Sequence, residues 1–244
     1  MKVLIDIGNT RIKWCTEKDG RLSKVQALSY KQTDIATELK QQWSDLEEPT
    51  VLAVSSVAAE QVLLHITEIA KNNWPKSHLL VAKSSAYACS VSNAYQQPEK
   101  LGIDRWLGLL ALHHYYPGNS CIVDCGTAIT IDFIDEKGLH LGGVISPGLQ
   151  LMRQSLLMGT EDLLLIEQED LQGLANNTES AICAGTLYAT SGLIEKVVKN
   201  NPDGAIILTG GDATLLSKYL GFKLLVDPDF ILKGLSIYCQ QESS

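Results

Sequence analysis

Near its N-terminus the chain reads Val3-Leu4-Ile5-Asp6-Ile7-Gly8-Asn9-Thr10, and near its middle it reads Cys121-Ile122-Val123-Asp124-Cys125-Gly126-Thr127-Ala128. Each stretch is an apolar run that ends in Asp-x-Gly and is followed by a second apolar run. In both copies a turn glycine comes 14 residues after the aspartate, from 6 to 20 and from 124 to 138. One such pattern is an ordinary hairpin signal, whereas two with the same spacing indicate an internal duplication.

The residue types in these two loops suit a phosphate group. Gly8 and Gly126 permit tight turns with accessible backbone N–H groups, and a neighbouring threonine hydroxyl adds a further donor. A carboxylate repels a bare phosphate, so a cation must stand between Asp6 or Asp124 and the ligand. The alternative is that each Asp-x-Gly is only a turn, which is reasonable for one copy and less so for the matched pair. The two loops therefore predict a site for a nucleotide triphosphate and its metal.

Other nucleotide-binding signatures are missing from the sequence. It contains no Gly-Lys dipeptide and hence no Walker A loop. No Gly-x-Gly-x-x-Gly follows a strand, so neither a Rossmann fingerprint nor a protein-kinase glycine loop is present.

Composition narrows the class of protein. The 244 residues allow one large domain or two small ones, and 45% hydrophobic with 20% charged residues is ordinary for a globular protein. The net charge of −8 argues against nucleic-acid and anionic-membrane partners. We find no signal-peptide pattern and no apolar run near the ~20 residues of a membrane helix. The six cysteines form no Cys-x-x-Cys pair and the five histidines no metal-ligand spacing, so we expect a cytoplasmic protein with reduced, mostly buried thiols.

The order of the predicted elements repeats as well. Each half reads as three meandering strands followed by helix–strand units, which is typical of an α/β fold. The clearest linker is Pro117-Gly118-Asn119. We therefore predict domains at 1–117, with the first phosphate loop and a proposed base, and at 118–244, with the second phosphate loop and an adenosine-side loop.

Three further segments carry functional residue types, and each has a simpler structural interpretation. Gly102-Ile103-Asp104-Arg105 begins a predicted helix, where the carboxylate either complements the helix dipole or accepts a proton from a hydroxyl beside an arginine that can hold an acid. Thr209-Gly210-Gly211-Asp212 is either a tight strand-to-helix turn or a loop that a ring or phosphate can approach closely. Asn177 or Thr178 reads as a helix N-cap. Residue chemistry alone favours the structural roles, which are interaction with the helix dipole for Asp104 and a helix N-cap for residues 177–178.

Taken together, these motifs resemble the type III pantothenate kinases, over essentially the whole chain and in the same order. The tetrapeptide Gly-Ile-Asp-Arg narrows the resemblance to this family within the acetate and sugar kinase/Hsp70/actin superfamily. The motifs that carry it are Asp6-Ile7-Gly8-Asn9-Thr10, Gly102-Ile103-Asp104-Arg105, Asp124-Cys125-Gly126-Thr127-Ala128, Gly142-Gly143-Val144-Ile145-Ser146-Pro147-Gly148, Asn177-Thr178-Glu179-Ser180-Ala181-Ile182 and Thr209-Gly210-Gly211-Asp212.

The resemblance implies a fold and an activity. The fold would be two duplicated RNase H-like (actin-like ATPase) halves with a cleft between them. The activity would be ATP-dependent phosphorylation of pantothenate to 4'-phosphopantothenate, the first step of coenzyme A biosynthesis. Mg²⁺ and a monovalent cation, K⁺ or NH₄⁺, would be required, and the enzyme would be a homodimer.

The resemblance also implies roles for individual residues. Asp104 would accept the proton, Asp124 would hold the monovalent cation, and Thr178 would reach pantothenate across the dimer interface. Residues implied in ATP binding are Asp6, Ile7, Gly8, Asn9, Thr10, Arg11, Ile12, Lys13 and Thr127. Residues implied in pantothenate binding are Tyr95, Gly102, Ile103, Asp104, Arg105 and Thr178. Many members continue the first loop with small residues ending in glycine, whereas this chain has Arg11 and Trp14.

Three other functions stay open at this stage. Another small-molecule kinase of the superfamily, such as a sugar kinase, is usually longer and lacks the Gly-Ile-Asp-Arg site. A non-catalytic regulator of the same fold would not need the intact Asp6, Asp104 and Asp124, and an actin-like filament protein is usually longer than this chain. Residues that suit a dimer interface, or equally a core, are Leu149, Leu151, Met152, Leu156, Leu157 and the Ala184–Thr186 face.

Overall fold

The computed structural model describes residues 1–29, 34–58, 60–158, 173–199 and 204–242. They belong to two units, one formed by Met1–His114 with Asp229–Ser244 and the other by Tyr115–Pro228. The chain thus passes into the second unit three residues before the predicted boundary at 117, and it returns to the first unit for its last helix.

The first repeat forms the centre of a mixed sheet in the first unit. Its strands run in the order β3-β2-β1-β5-β6, with β4 also paired to β2. Strand β2 is antiparallel to β1, whereas β5 and β6 are both parallel to β1. The third of the three meandering strands predicted for this half is two short strands along one edge of β2. The strands are β1 (Lys2–Ile7), β2 (Arg11–Lys18), β3 (Arg21–Leu22), β4 (Gln26–Ser29), β5 (Val51–Ser56) and β6 (His78–Val81).

Helices α1 (Ile35–Trp43) and α2 (Glu60–Asn73) pack with alternate side chains of this sheet into one apolar core. Three tryptophans fill part of it. The ring centre of Trp43 lies 6.0 Å from that of Trp14, which it meets edge-on, and 4.8 Å from that of Trp74, whose ring is tilted to it by 32°. Trp14 is therefore a core residue, and its indole donates a hydrogen bond to Gln42 at 3.0 Å. Trp14 and Arg11 are the two residues that depart from the family pattern. Trp14 lies in the core, whereas the side chain of Arg11 is exposed.

The remaining elements of the first unit lie between 87 and 115 and at the C-terminus. They are β7 (Tyr87–Ala88), β8 (Val91–Ser92), a short 3₁₀ helix (Pro98–Lys100), α3 (Ile103–Tyr115) and α7 (Phe230–Glu242). Helix α7 packs backbone to backbone against α3 at Gly234, and Ser236 donates a hydrogen bond to the buried Glu17 of β2 at 2.9 Å. The sequence-based division, which assigned all of 118–244 to the second half, is corrected here because this packing binds the last helix to the first unit.

The second unit repeats the sheet of the first. Its order is β11-β10-β9-β12-β13, with β9, β10 and β11 antiparallel and β12 and β13 parallel to β9. The elements are β9 (Ser120–Cys125), β10 (Ala128–Ile134), β11 (His140–Pro147), α4 (Leu149–Leu157), α5 (Thr178–Val198), β12 (Ala205–Thr209), α6 (Ala213–Ser217) and β13 (Leu225–Val226). The shared strand order and directions confirm the predicted duplication.

Other expectations concern the thiols, the histidines and the membrane. All six cysteines are free and five are buried, as expected. Burial raises the pKa of the Cys15 thiol to about 12 and also raises the pKa values of Cys121 and Cys125, which leaves these thiols unreactive. His140 is a core residue, 2.9 Å from Asp132. In the described part of the chain, no helix has both the length and the apolarity to cross a membrane.

Candidate active site

The first loop connects β1 to β2 at one end of the first sheet. After Ile7 the chain turns through Gly8, whose N–H donates to the carbonyl of Arg11 at 3.0 Å. A side chain on Gly8 would bring its Cβ within 3.3 Å of the same carbonyl oxygen, so the turn favours glycine. Asn9, at the tip of the loop, is exposed to solvent. The loop therefore presents short residues and backbone groups at the carboxyl end of β1.

Asp6, at this end of β1, is held by both neighbouring strands. Ser55 of β5, which is fully buried, donates a hydrogen bond to Asp6 Oδ1 at 2.7 Å, and Lys13 lies opposite it on β2. Burial raises the pKa of Asp6 to about 6, the Ser55 hydrogen bond opposes this rise, nearby Asp104 adds to it, and Lys13 opposes it. A second carboxylate and one ammonium group thus lie close enough to influence the charge of Asp6 where β1 ends.

Sequence reasoning missed Ser55, although a signal was present. The strand reads Val51-Leu52-Ala53-Val54-Ser55, so an apolar run ends in a hydroxyl residue at the same level of the sheet as Asp6. Polar residues at the carboxyl ends of parallel strands are typical of α/β binding sites.

Asp104 enters the site from the first turn of α3. Its Oδ1 accepts a hydrogen bond from the backbone N–H of Arg105 at 2.8 Å. A Cβ on Gly102 would lie 2.6 Å from the same Oδ1, so glycine makes room for this carboxylate. Ile103, the residue before Asp104, is buried. The tetrapeptide noted in the sequence is thus a local device that sets Asp104 near Asp6.

Arg105 is buried and contacts the segment before α3. Its Nη1 donates to the phenol oxygen of Tyr95 at 2.6 Å. The side chain of Asn93 donates to the carbonyls of Ser85 and Pro98, at 3.1 and 3.2 Å, and accepts from the N–H of Tyr95 at 3.0 Å. Asn93 therefore fixes the segment that carries Tyr95, and the predicted pantothenate residues Tyr95 and Arg105 are in contact.

The second loop lies at the equivalent end of β9 in the second unit. Three backbone hydrogen bonds join the segments around it: Gly126 N–H to Ala128 at 3.1 Å, Gly148 N–H to Thr127 at 2.9 Å and Asp212 N–H to Cys125 at 2.9 Å. These contacts hold the loop in place without using its side chains.

Two glycines are required for that close packing. A Cβ on Gly148 would lie 2.6 Å from the carbonyl oxygen of Thr127 and would also collide with that of Gly126. Gly210 has φ +91° and lies against both Cys125 and the Asp124 carboxylate, which a Cβ would overlap. The segment 209–212, which had two interpretations from sequence, therefore approaches Asp124 closely.

Thr127 and Thr178 are the other predicted site residues of the second unit. Thr127 is exposed beside the loop. Asn177 is the N-cap of α5, since its Oδ1 accepts from Ser180 N–H at 2.9 Å, so Thr178 is the first helical residue and its side chain is exposed. The first unit thus brings together Asp6, Lys13 and Asp104, and it brings Tyr95 to Arg105. The roles that the resemblance implies for all these residues stay predictions.

Among the described residues, no group of three or more His, Cys, Asp or Glu side chains could enclose a metal. Magnesium commonly binds through one or two carboxylates together with substrate phosphates and water. Asp6 and Asp104 in the first unit fit that pattern. Asp124 in the second unit, which lies against Gly210, offers one carboxylate and so suits a cation that needs less negative charge around it.

Comparison with solved structures identifies the fold. A Campylobacter jejuni protein assigned to the Baf family of transcriptional activators superposes with a TM-score of 0.62 at 21% identity, covering 99% of this chain and 98% of that one. Component A of (R)-2-hydroxyglutaryl-CoA dehydratase from Acidaminococcus fermentans gives 0.57 at 12% identity, covering 99% and 97%. At these identities the likeness concerns the fold alone, which is the duplicated RNase H-like fold of the actin-like ATPases.

Sequence comparison identifies the family. The family model described as type III pantothenate kinase matches residues 2–200. Proteins named type III pantothenate kinase include one from Nitrosococcus oceani, 36% identical over 97% of this chain and 92% of its own length, and one from Marinomonas sp., 36% identical over 96% and 93%. Another, from Dichelobacter nodosus, is 35% identical over 96% of both chains. The family model covers most of the chain and these relatives cover nearly all of it, so the chain belongs to the type III pantothenate kinase family.

Proposed function

We propose that this protein transfers the γ-phosphoryl group of ATP to the primary hydroxyl of pantothenate, giving 4'-phosphopantothenate and ADP in the first step of coenzyme A biosynthesis. The observation that carries the proposal is the cluster at the end of β1. There Asp6 lies near Asp104, and the next residue is the buried Arg105. Two carboxylates and an arginine on rigid elements suit a hydroxyl substrate that also bears a carboxylate.

Each residue of this cluster has a chemical task in the proposed reaction. Asp104 orients the pantothenate hydroxyl and accepts its proton as the new O–P bond forms and the bond to ADP breaks. Arg105, braced by Tyr95, binds the pantothenate carboxylate. The transition state of phosphoryl transfer is largely dissociative, so positioning and charge neutralisation dominate over covalent help from the protein.

The proposed cations follow from the carboxylates on the two loops. Burial and the nearby Asp104 both raise the pKa of Asp6. Mg²⁺ carried by the ATP phosphates would relieve the repulsion between these two carboxylates. In the second unit, Asp124 lies against Gly210, and the side chain of any other residue at position 210 would overlap the carboxylate. We assign K⁺ or NH₄⁺ to this carboxylate, with Thr127 toward ATP. A cytoplasmic location fits a supply of ATP and potassium.

A homodimer is the second part of the proposal, and the surface of the second unit supports it. Strand β11 is the edge of its sheet, and Leu141 and Ile145 on it are 58% and 62% exposed. Leu156 of α4 and Tyr188 of α5 are each 48% exposed. An edge strand with exposed apolar side chains is normally covered, and a second copy of the chain would cover it here. Thr178, exposed at the start of α5, would then reach the partner's pantothenate.

The residues that suited either a dimer interface or a core fall into both groups. Leu149, Ala184 and Thr186 are buried in the unit's own core, whereas Leu151 and Gly185 are exposed. The side chain of Leu157 lies outside what the structure describes. The proposed interface therefore rests on β11 and on the exposed faces of α4 and α5.

The activity is tested by measuring ADP release from ATP and Mg²⁺, with and without pantothenate, in potassium and in sodium. Release that requires pantothenate and falls sharply in sodium is the expected result. Release that ignores pantothenate would exclude this substrate and direct attention to other hydroxy acids and sugars. Binding of ATP without any release would instead favour the non-catalytic regulator.

A further inference from the structure

One buried hydroxyl of the second unit has no hydrogen-bond partner. Thr209 is the last residue of β12, its side chain is fully buried, and none of the described residues offers its Oγ1 a partner. The other buried side-chain atoms of this kind in the described part of the chain belong to the first unit, and they are Trp43 Nε1, Ser84 Oγ, Trp106 Nε1 and His113 Nδ1. A buried hydroxyl without a partner destabilises a folded protein and requires an explanation.

The position of Thr209 supplies one. It is the register partner of Asp124 in the parallel pair formed by β9 and β12. Register partners on parallel strands point to the same face of the sheet. The next residue, Gly210, lies directly against the Asp124 carboxylate. The orphaned hydroxyl is therefore beside the carboxylate of the second loop.

The first unit contains the same pair with the bond formed. Ser55 is the register partner of Asp6 in the parallel pair of β1 and β5, and in the repeated sheet β1 corresponds to β9 and β5 to β12. Ser55 is also fully buried, and its hydroxyl donates to Asp6 at 2.7 Å. The duplicated fold thus places a hydroxyl beside the loop aspartate twice, and the hydroxyl donates to the aspartate in the first unit only.

We infer that Thr209 is a positioning residue for Asp124, and that its hydroxyl donates to the Asp124 carboxylate when the second loop holds a monovalent cation and nucleotide. Rotation of the threonine about χ1 changes where its hydroxyl points without moving the backbone. A carboxylate that accepts this bond keeps other lone pairs for the cation. The free energy that it costs to bury this hydroxyl without a partner is then recovered when the bond to Asp124 forms. This inference rests on the proposed role of Asp124 in holding the cation.

Two substitutions at Thr209 test the inference. Thr209→Val removes the hydroxyl at nearly the same shape, and Thr209→Ser keeps it. Binding of a non-hydrolysable ATP analogue with Mg²⁺ is measured by calorimetry while KCl replaces NaCl at constant ionic strength, and melting temperature is recorded with and without ligands. We expect Thr209→Val to raise the potassium concentration for half-maximal analogue binding about tenfold or more, the scale of a hydrogen bond to a charged group. Thr209→Ser should stay close to the wild type.

The ligand-free melting temperature separates this role from a structural one. Thr209→Val should melt no lower than the wild type without ligands, because the hydroxyl it removes has no partner there. Ser55→Ala should melt lower, since its bond already exists. A Thr209→Val protein with wild-type potassium dependence would overturn the inference, as would a loss of melting temperature that is the same with and without ligands. If the wild type itself binds the analogue equally well in sodium, then the cation role of Asp124 fails first, and the wild-type titration alone shows this.

Discussion

At the scale of single residues, Asp104 has both a structural and a chemical interpretation, and one substitution separates them. Asp104→Asn keeps the shape and can still accept the N–H of Arg105, but the amide cannot take a proton from a hydroxyl. We expect kcat to fall by roughly 10²–10⁴-fold, the usual scale of general base catalysis, with binding of an ATP analogue nearly kept. Steady-state ADP release and calorimetry measure the two quantities.

A matched control tests the dipole interpretation of Asp104. Glu38 is the acidic residue in the first turn of α1, so Glu38→Gln removes the same favourable interaction with a helix N-terminus in the same unit. This variant should keep the wild-type rate. An Asp104→Asn enzyme that is as fast as the control would remove Asp104 from the role of proton acceptor.

Asp6 should make the ligand-free protein less stable as pH rises. Its pKa is raised to about 6 in the folded state from an ordinary value of 3.8, so the folded protein binds the proton more tightly than the unfolded chain. The contribution of Asp6 to the free energy of unfolding therefore falls between about pH 4 and pH 6 and is level above that range. Asp6→Asn removes this effect, and its amide oxygen can still accept from Ser55. At pH 8 the variant should be more stable by about 1–3 kcal/mol and less active.

Denaturant unfolding of the ligand-free protein at pH 4.5 and pH 8 checks this prediction. The gain in stability of Asp6→Asn should shrink toward zero at the lower pH. Asp45 is exposed, so Asp45→Asn should show no such pH-dependent gain. A variant at position 6 that is less stable than the wild type at pH 8 would contradict the prediction.

The motif aspartates could be found from sequence because each lies inside a local pattern of strand, turn and glycine. Ser55 and Thr209 could not be assigned in the same way, because their relation to Asp6 and Asp124 depends on the pairing of strands that are distant in the chain. Tyr95 and Arg105 were grouped by resemblance, and the segment that joins them depends on the hydrogen bonds of Asn93, which no periodic pattern predicts.

At the scale of elements, α7 sets the position of α3 and so of Asp104. Gly234 on α7 lies so close to Leu107 of α3 that a Cβ would overlap its carbonyl carbon at 2.6 Å. Glycine-to-alanine changes inside helices usually stabilise by up to about 1 kcal/mol. Here we expect Gly234→Ala to destabilise instead, by about 1–3 kcal/mol, because the two backbones must separate.

Denaturant unfolding measures this change, and the exposed position 41 of α1 provides the reference. Gln41→Ala touches no packed surface and should leave stability unchanged or slightly higher. Because Gly234→Ala also displaces the start of α3, kcat should fall while the affinity for the ATP analogue changes less. Equal stability of the two variants would mean that α7 yields to the added methyl group.

Elements were predictable from sequence where the chain pattern is local. The alternating apolar residues of the two hairpins, and the linker near 117, indicate the strands and an approximate boundary. The position of the last helix was not predictable, because its contacts with Leu107 and Glu17 are made across more than 100 residues of chain. The third meandering strand predicted for the first half is instead two strands, β3 and β4, because β2 pairs separately with each of them.

At the scale of the whole molecule, duplication explains why the protein has two aspartate loops, to which we assign different tasks. The same sheet places a carboxylate and a hydroxyl at the end of its central strand in each unit. In the first unit α3 adds Asp104 and Arg105, and the hydroxyl of Ser55 is already bonded. In the second unit Gly210 lies against Asp124 instead, and the hydroxyl of Thr209 has no partner among the described residues. We therefore assign the reacting hydroxyl and the first ATP phosphate loop to the first unit, and the monovalent cation and the second phosphate loop to the second unit.

Assembly is the last property at this scale, and Gly185 offers a specific test of it. This residue lies on the exposed face of α5, and no described atom of its own chain lies within 4 Å of a Cβ placed there. Gly185→Arg should therefore leave the monomer folded and even favour the helix. If a second copy packs closely on this face, the same change should block it, because a long charged side chain cannot be buried there unpaired.

We expect the wild type to sediment at twice its chain mass of 26.6 kDa and Gly185→Arg to sediment as a monomer. Gln41→Arg, which adds the same charge to an exposed helix face of the first unit, should remain dimeric. The monomeric variant should also need more pantothenate for half-maximal rate, because Thr178 of a partner would no longer reach the substrate, while its affinity for the ATP analogue stays close to the wild type. A Gly185→Arg protein that is still dimeric would move the interface away from α5, and one that is monomeric with an unchanged pantothenate requirement would remove Thr178 from the substrate site.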